Sequence, residues 1–180
     1  MAQRFSYWHS ARSHGTEGMR VGLLIALLTA GVAYGQNQLL PEKFNGDVTI
    51  LQNAVNESVG SSLPGWGVLQ GAKGAYLDGY GIVVSMEVAL DAPATPFSGQ
   101  KSPEEVRTTA AQRRKEVEEK VTNILKEKTA ALQSIAPSES VAIIVNILNT
   151  NPAYVPDMPS QIIFSAKKQD ATHVNVRAYK

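Results

Sequence analysis

The strongest constraint on the fold is an alternation of side chains in the middle of the chain. Every second residue from Ile82 to Leu90 is a large apolar one, and Val, Ser, Glu and Ala stand between them. A period of two is typical of a β-strand with one buried face. A weaker candidate strand, Val68 to Leu77, precedes it, and Asp78-Gly79 separates the two. We therefore predict a β-hairpin.

The turn residues also predict the register of this hairpin. Asp-Gly favours a two-residue type I′ turn, in which both central residues have positive φ. In that register Gln70 pairs with Glu87, and Lys73 is the only misfit opposite the apolar face. Tyr76 and Tyr80 fall on opposite faces near the turn, so we expect one of them to be exposed.

Two helices are predicted, one before and one after the hairpin. Apolar residues recur at intervals of three and four from Leu40 to Val59, which is the period of a helix with one buried face. Ser102-Pro103-Glu104-Glu105 supplies the N-cap, first-turn proline and N3 acid that begin a second, longer helix. We expect this helix to continue until Pro137 stops it and its N-terminal turns to project beyond the sheet. Its predicted buried stripe is Val117, Val121, Ile124, Ala131, Leu132 and Ile135.

Further strands follow the second helix. Ser140 to Leu148 is apolar on both faces and predicts a central strand, Gln161 to Lys168 predicts another, and His173 to Tyr179 alternates weakly enough to be a short edge strand. The predicted fold is α+β, an antiparallel four- or five-stranded sheet with a long and a shorter helix packed on one face. The element order is α-β-β-α-β-β, with or without a last strand.

The first 35 residues have the layout of a secretory signal peptide. Arg20 precedes an apolar run of twelve residues, Val21 to Val32, and Ala33-Tyr34-Gly35 places small residues at −3 and −1 of a cut before Gln36. The run is shorter than the roughly 20 residues that cross a bilayer. We predict a signal peptide at 1–35, either with the true translation start at Met19 or with an unusually long n-region, and a single α+β domain at 36–180. The location is therefore periplasmic or extracellular.

The amino-acid composition limits the kinds of partner, metal site and catalytic nucleophile that the protein can have. Residues 36–180 carry 14 basic and 15 acidic side chains, a balance that favours neither nucleic acid nor an anionic membrane surface as partner. The chain has no cysteine, which excludes disulfides, thiolate zinc sites and thiol nucleophiles. After residue 35 the only histidine is His173, so histidine metal clusters within one subunit are excluded as well.

Familiar catalytic and cofactor motifs are incomplete. The glycines from Gly71 to Gly81 match neither the dinucleotide fingerprint nor the P-loop, because a strand follows them where those motifs require a helix. Ser165-Ala-Lys-Lys168 spells S-x-x-K but lies in a predicted strand, where Ser165 and Lys168 point to opposite faces. Asp170 stands three residues before His173, but the sequence has no G-x-S-x-G motif that would supply the serine nucleophile of a Ser-His-Asp triad. We assign no catalytic, cofactor or metal-binding residue and expect no cofactor.

Carboxylates offer the remaining route to catalysis. An exported hydrolase acting on glycan or peptide would need two acidic side chains within roughly 5–9.5 Å of each other. The candidates are Asp78, Glu87, Asp91 and Asp157. This is our alternative hypothesis, and it requires at least two of them to line one cleft.

Tyr76-Leu-Asp-Gly-Tyr-Gly-Ile-Val-Val84, with Glu87-Val88 after it, resembles a hairpin of exported bacterial proteins that have no assigned activity. The resemblance implies export and a shared fold, and it transfers no catalytic residue. The sequence hypothesis is therefore an exported, non-enzymatic binding or scaffolding domain of the cell envelope with a protein partner. The candidate contact residues are Tyr76 and Tyr80 at the hairpin and Tyr154 and Met158 in the proline-rich loop 149–159.

Overall fold

The computed structural model describes residues 42–63, 65–92, 99 and 101–180, all within the compact unit Leu39–Lys180. The predicted signal peptide at residues 1–35 and its cleavage site lie outside the described residues. The elements follow the predicted order and include the fifth strand. They are α1 (Glu42–Gly60), β1 (Val68–Leu77), β2 (Gly81–Val88), α2 (Pro103–Lys128), a 3₁₀ turn (Thr129–Ala131), β3 (Ser140–Ile147), β4 (Gln161–Lys167) and β5 (Asp170–Tyr179).

The five strands lie side by side in chain order, and the sheet is mixed. β2 and β3 are parallel, whereas the other neighbouring pairs are antiparallel. The prediction of an antiparallel sheet is therefore wrong for this pair. The reason is that α2 returns the chain to the level at which β2 began, and a helical crossover of this kind joins parallel strands.

The parallel pair gives the sheet two distinct ends. At the hairpin end, Gly81 at the start of β2 pairs with Ser140 at the start of β3. At the loop end, Val88 pairs with Ile147, and the loop 149–159 follows. Strands of this length span about 25 Å. Residues at the two ends therefore cannot share a site.

The hairpin forms, but its turn differs from the predicted one. Leu77 pairs with Gly81, and the Tyr80 N–H donates to the Leu77 carbonyl at 3.0 Å, so the loop holds three residues. Positive φ occurs in the described residues only at Gly79 (73°) and Gly81 (121°). Asp78 does not adopt the positive φ that a type I′ turn requires. Gly81 is required there because an added Cβ would lie 2.1 Å from the Ser140 carbonyl oxygen.

The longer loop shifts the register by one residue and corrects the predicted misfit. Lys73 pairs with Ser85 rather than with an apolar residue. Two irregularities in β1, between Val68 and Lys73, then restore the pairing of Gln70 with Glu87 that we predicted. A one-residue shift exchanges the two faces of a strand, so the new register places the charged side chain away from the core.

Both helices pack on one side of the sheet, here called the inner face. α1 buries its predicted stripe from Phe44 to Val59, and Leu40 lies outside the described residues. Gly74 lets α1 approach β1, since an added Cβ would lie 2.7 Å from Val48 Cγ1. The strands contribute every second residue to this core: Ile82, Val84, Met86, Val88, Val141, Ile143, Val145, Ile147, Ile162, Phe164 and Ala166.

α2 begins as predicted and ends earlier. The Glu105 N–H donates to Ser102 Oγ and the Ser102 N–H donates to Glu105 Oε2, which completes the capping box. The helix ends at Lys128 instead of Ile135, and Ala131 is exposed rather than buried. Leu132 and Ile135 are buried as predicted, but they reach the core from the segment after the helix. Tertiary packing here overrides a helical pattern.

Two arginines attach the N-terminal part of α2 to the loop end. Arg113 Nη1 donates to the carbonyls of Leu90 at 3.0 Å and Ala92 at 2.6 Å, and Arg107 Nε donates to the Tyr154 carbonyl at 2.8 Å. These turns therefore contact the segments that follow β2 and β3, beyond the ends of the strands. Both arginines satisfy loop carbonyls that the chain would otherwise leave to water.

Candidate interaction surface

The side of the sheet away from α1 and α2, here called the outer face, presents three rows of side chains. Each row crosses all five strands because the pairings are continuous from β1 to β5. The row nearest the hairpin end and the middle row hold small and apolar residues at their centres. The rows are Ala75-Val83-Ala142-Ser165-Asn175, Lys73-Ser85-Ile144-Ile163-Arg177 and Gln70-Glu87-Asn146-Gln161-Tyr179.

The row nearest the loop end contains a hydrogen-bonded amide network. Gln161 Nε2 donates to Asn146 Oδ1 at 2.9 Å, and Asn146 Nδ2 donates to Ser85 Oγ at 3.0 Å. The same amide nitrogen lies 3.3 Å from the Met86 carbonyl oxygen. These contacts hold two amide side chains in fixed positions on three neighbouring strands. The hydrogen-bonding groups of this row are therefore held in place by contacts within the protein.

Large apolar side chains are exposed around the same row. Trp66, just before β1, is 60% exposed, and Leu148, just after β3, is 49% exposed. Leu69 in β1 and Tyr179 in β5 are exposed as well. The Ala89 N–H donates to the Gly67 carbonyl and the Leu148 N–H donates to the Val88 carbonyl, each at 2.8 Å, which fixes Trp66 and Leu148 at the loop end. We call this set the loop-end surface: Gln70, Glu87, Asn146, Gln161 and Tyr179 with Trp66, Leu69 and Leu148.

Asp91 anchors the loop that borders this surface. Its side chain is buried, and its carboxylate accepts from the N–H and hydroxyl of Thr150 and from the N–H and amide of Asn151, over 2.7–3.3 Å. Burial lowers the pKa of the neighbouring Arg113 guanidinium, and the charge of Asp91 opposes that change. Asp91, one of the candidate catalytic acids, is therefore engaged in hydrogen bonds that hold the loop in place.

Two of the predicted contact residues, Tyr154 and Met158, lie in the loop beside this surface. Both are half-buried. Met158 packs against the core, and the Tyr154 N–H donates to the Asn151 carbonyl at 2.9 Å. Their position is at the same end of the sheet as the loop-end surface, although their side chains are less available than those of Trp66 and Leu148.

The other two predicted contact residues lie at the hairpin end. Tyr76 stacks on Phe44 with ring centroids 3.5 Å apart, and its hydroxyl donates to Glu139 Oε1 at 2.6 Å. This hydrogen bond raises the pKa of Tyr76 to about 12 and holds the pKa of Glu139 below its ordinary value. Tyr80 is exposed at the turn. The four predicted residues therefore do not converge on one surface.

Of the four candidate carboxylates, Asp78 lies at the opposite end of the sheet from the other three. Asp78 is at the hairpin turn and Asp91 at the loop end, about 25 Å apart by the length of β2. Glu87 lies on the outer face, and Asp157 pairs with Lys180 at 2.8 Å. Of three shallow cavities bounded by described residues, none is lined by two of these acids. Nothing in this arrangement favours the hydrolase hypothesis.

Ser165, His173 and Asp170 line one cavity at the hairpin end, and they are the residue types of an acyl-transfer triad. Asp170 Oδ1 lies 2.7 Å from His173 Nδ1, and this contact lowers the pKa of Asp170. In the described structure no hydrogen bond joins Ser165 to His173, so the contact between nucleophile and base is missing. Lys168, the other end of the S-x-x-K match, donates to the Ile135 carbonyl away from this cavity.

Sequence reasoning missed Asn146, Trp66 and Leu148. Asn146 is the only polar residue within the apolar run Val141 to Leu148, and Trp66 is the only tryptophan after residue 35. Both residues stand out in the sequence. The sequence does not indicate that they lie at the same end of the sheet, because that location depends on the parallel pairing of β2 with β3.

A comparison of the chain with protein-family models, with curated proteins and with solved structures found no match in any of the three. Across the described ranges, no group of three or more His, Asp or Glu side chains is placed to hold a metal ion. Within the same part of the chain, none of the helices combines the length and the apolar character needed to cross a membrane.

Proposed function

We propose that residues 36–180 form an exported, non-enzymatic binding or scaffolding domain of the bacterial cell envelope, and that its loop-end surface contacts a protein partner. The observation that carries the proposal is the exposure of Trp66, Leu69, Leu148 and Tyr179 at one end of the sheet. Tryptophan and tyrosine contribute large contact areas at low entropic cost and are enriched among residues that dominate binding energy.

The setting of these side chains supports the same function. They lie at the same end of the sheet as the ordered amides of Asn146 and Gln161, and Glu87 lies in the same row as these amides. Apolar anchors beside fixed hydrogen-bonding groups have the composition of a protein interface. The amide row lies on strands, and backbone hydrogen bonds fix the segments that carry Trp66 and Leu148, so this surface would lose little freedom on binding.

Export rests on the layout of residues 1–35 alone. The test is the N-terminus of the protein recovered from cell envelope or culture medium. We expect the chain to begin at Gln36. A full-length chain retained in the cytoplasm would contradict the proposed location.

Affinity capture with matched variants tests the binding role. Leu148→Lys and Ile50→Lys each place a charge at a side chain that is about half exposed, the first at the loop-end surface and the second on α1. We expect wild type and Ile50→Lys to retain the same partner from envelope extract and Leu148→Lys to lose it. A monomer that retains no specific partner, or equal loss in both variants, would overturn the proposal.

A further inference from the structure

A polar cavity at the hairpin end lies far from the loop-end surface. It has a volume of about 240 Å³. β3, β4 and β5 form its walls, and the pairing of Ser140 with Lys167 places it where β3 begins and β4 ends. Its lining residues are Ser140, Ser165, Ala166, Lys167, Asp170, His173 and Asn175.

The cavity coincides with a large irregularity between β4 and β5. Ser165 pairs with Asn175 and Lys167 pairs with Asp170, so that one residue of β4 faces four residues of β5. Bulges of this kind redirect side chains and are frequent beside functional sites. Here the bulge carries His173, whose ring Asp170 holds at 2.7 Å.

Ser140, Ser165, Lys167 and Asn175 can each donate a hydrogen bond to a ligand in the cavity, and Asp170 is the one carboxylate of the lining. Within the described residues, no hydrogen bond uses the side chains of Ser140, Ser165, Lys167 or Asn175. The acceptor atom Asp170 Oδ1 is already engaged by His173 and by Thr172 Oγ1 at 3.3 Å. Because Asp170 occupies His173 Nδ1, the second ring nitrogen remains for a ligand.

We propose that this cavity binds a small oxyanion: sulfate, phosphate or a carboxylate group. The Lys167 ammonium would supply a charge-assisted hydrogen bond, and the hydroxyls of Ser140 and Ser165 with the Asn175 amide would supply neutral ones. Because Nδ1 donates to the Asp170 carboxylate, His173 Nε2 would add a further donor only when the ring is protonated. The proposed oxyanion site is independent of the loop-end surface.

The test is a titration of the purified domain with sodium sulfate, followed by amide NMR at constant ionic strength set with sodium chloride. We expect saturable shifts at Ser140, Ser165 and Asn175 with a Kd of about 1 mM. Lys167→Met should weaken binding about tenfold, because it removes the charge-assisted bond. The control Lys115→Met removes an exposed charge on α2 and should leave the Kd unchanged.

Parallel titrations with phosphate and acetate distinguish a tetrahedral from a planar anion. Ser165→Ala provides a second variant, which we expect to weaken sulfate binding with the fold unchanged by circular dichroism. Absence of saturation, or equal weakening by Lys167→Met and Lys115→Met, would overturn the proposal. Partner capture should be the same for Lys167→Met and wild type, so the failure of one proposal can be told from the failure of the other.

Discussion

The two faces of the sheet use the same strands for different purposes. On the inner face, Phe164 and Met86 are almost completely buried beneath the helices. On the outer face, their chain neighbours Ile163 and Ser85 are half-buried, and Ser85 accepts a hydrogen bond from Asn146 of β3. The alternation of a β-strand thus separates folding from contact with the surroundings. A change on one face should therefore affect stability, and a change on the other should affect binding.

The largest effect is expected from shortening a core side chain on β4. Phe164→Ala should lower the free energy of unfolding by about 3–5 kcal/mol, since it removes a buried ring and leaves a cavity. Ile163→Ala, one residue away on the outer face, should cost only about 1 kcal/mol because less area leaves water there. Urea unfolding of both variants measures the difference. Equal decreases in the free energy of unfolding would show that the outer face contributes as much to stability as the core.

The next effect concerns the buried carboxylate at the loop end. Asp91→Ala should cost about 1–3 kcal/mol, because it leaves the donors of Thr150 and Asn151 without their partner. Asp157→Ala removes an exposed ion pair with Lys180 and should cost less stability than Asp91→Ala. Thermal unfolding compares the two. A similar loss of stability in both variants would show that the hydrogen bonds of Asp91 do not hold the loop.

A smaller, pH-dependent effect is expected where Tyr76 reaches from β1 to Glu139. The lowered pKa of Glu139 means that this contact stabilises the fold above the ordinary carboxyl pKa and that the stabilisation is lost as the pH falls. The pKa of Tyr76 is raised to about 12, so the stabilisation that the protonated Tyr76 hydroxyl contributes is fully present below the ordinary tyrosine pKa of about 10. That stabilisation is lost as the pH rises through 12.

Tyr76→Phe tests this contact by NMR titration of the Glu139 carboxyl. The pKa of Glu139 should rise toward its ordinary value, because the phenol hydroxyl no longer donates to it. Tyr80→Phe at the exposed turn is the control and should leave that pKa unchanged. A titration of Glu139 that is the same in wild type and Tyr76→Phe would contradict the assigned cause.

The smallest effect on stability is expected for the outer-face network. Asn146→Val replaces an amide in a central strand by a β-branched residue that suits a strand. We expect a change below about 1 kcal/mol, since the partners Ser85 and Gln161 are only half-buried and water can replace the amide. Loss of cooperative unfolding in this variant would assign the network to folding instead of binding.

Local patterns predicted most of the fold. The capping box at Ser102, the stripe from Phe44 to Val59 and the alternation after Gly81 are decided by near neighbours in the chain. The errors arose where distant residues decide. Ser134, in the segment after α2, donates its N–H and its hydroxyl to Asp47 of α1, far away in the sequence. The direction of β3 follows from the crossover through α2.

The candidate site was less predictable. The prediction that Tyr154 and Met158 lie in a loop is confirmed, but no local pattern indicates that Trp66, Leu148 and Tyr179 lie at the same end of the sheet. The cavity around Ser165 and His173 requires a bulge that opposes one residue to four, and no turn motif in the sequence specifies it. Such features follow from pairing between strands, which single-sequence periodicity does not contain.

The most direct measurement is site-specific photo-crosslinking in the native cell, with a photoreactive side chain at Leu148 on the loop-end surface or at Ile50 on α1. The two positions are 49% and 50% exposed, so their access to solvent is equal. A partner-sized adduct from Leu148 and none from Ile50 is the predicted result. Adducts of the same size and yield from both positions, or from neither, would contradict the assignment of binding to the loop-end surface.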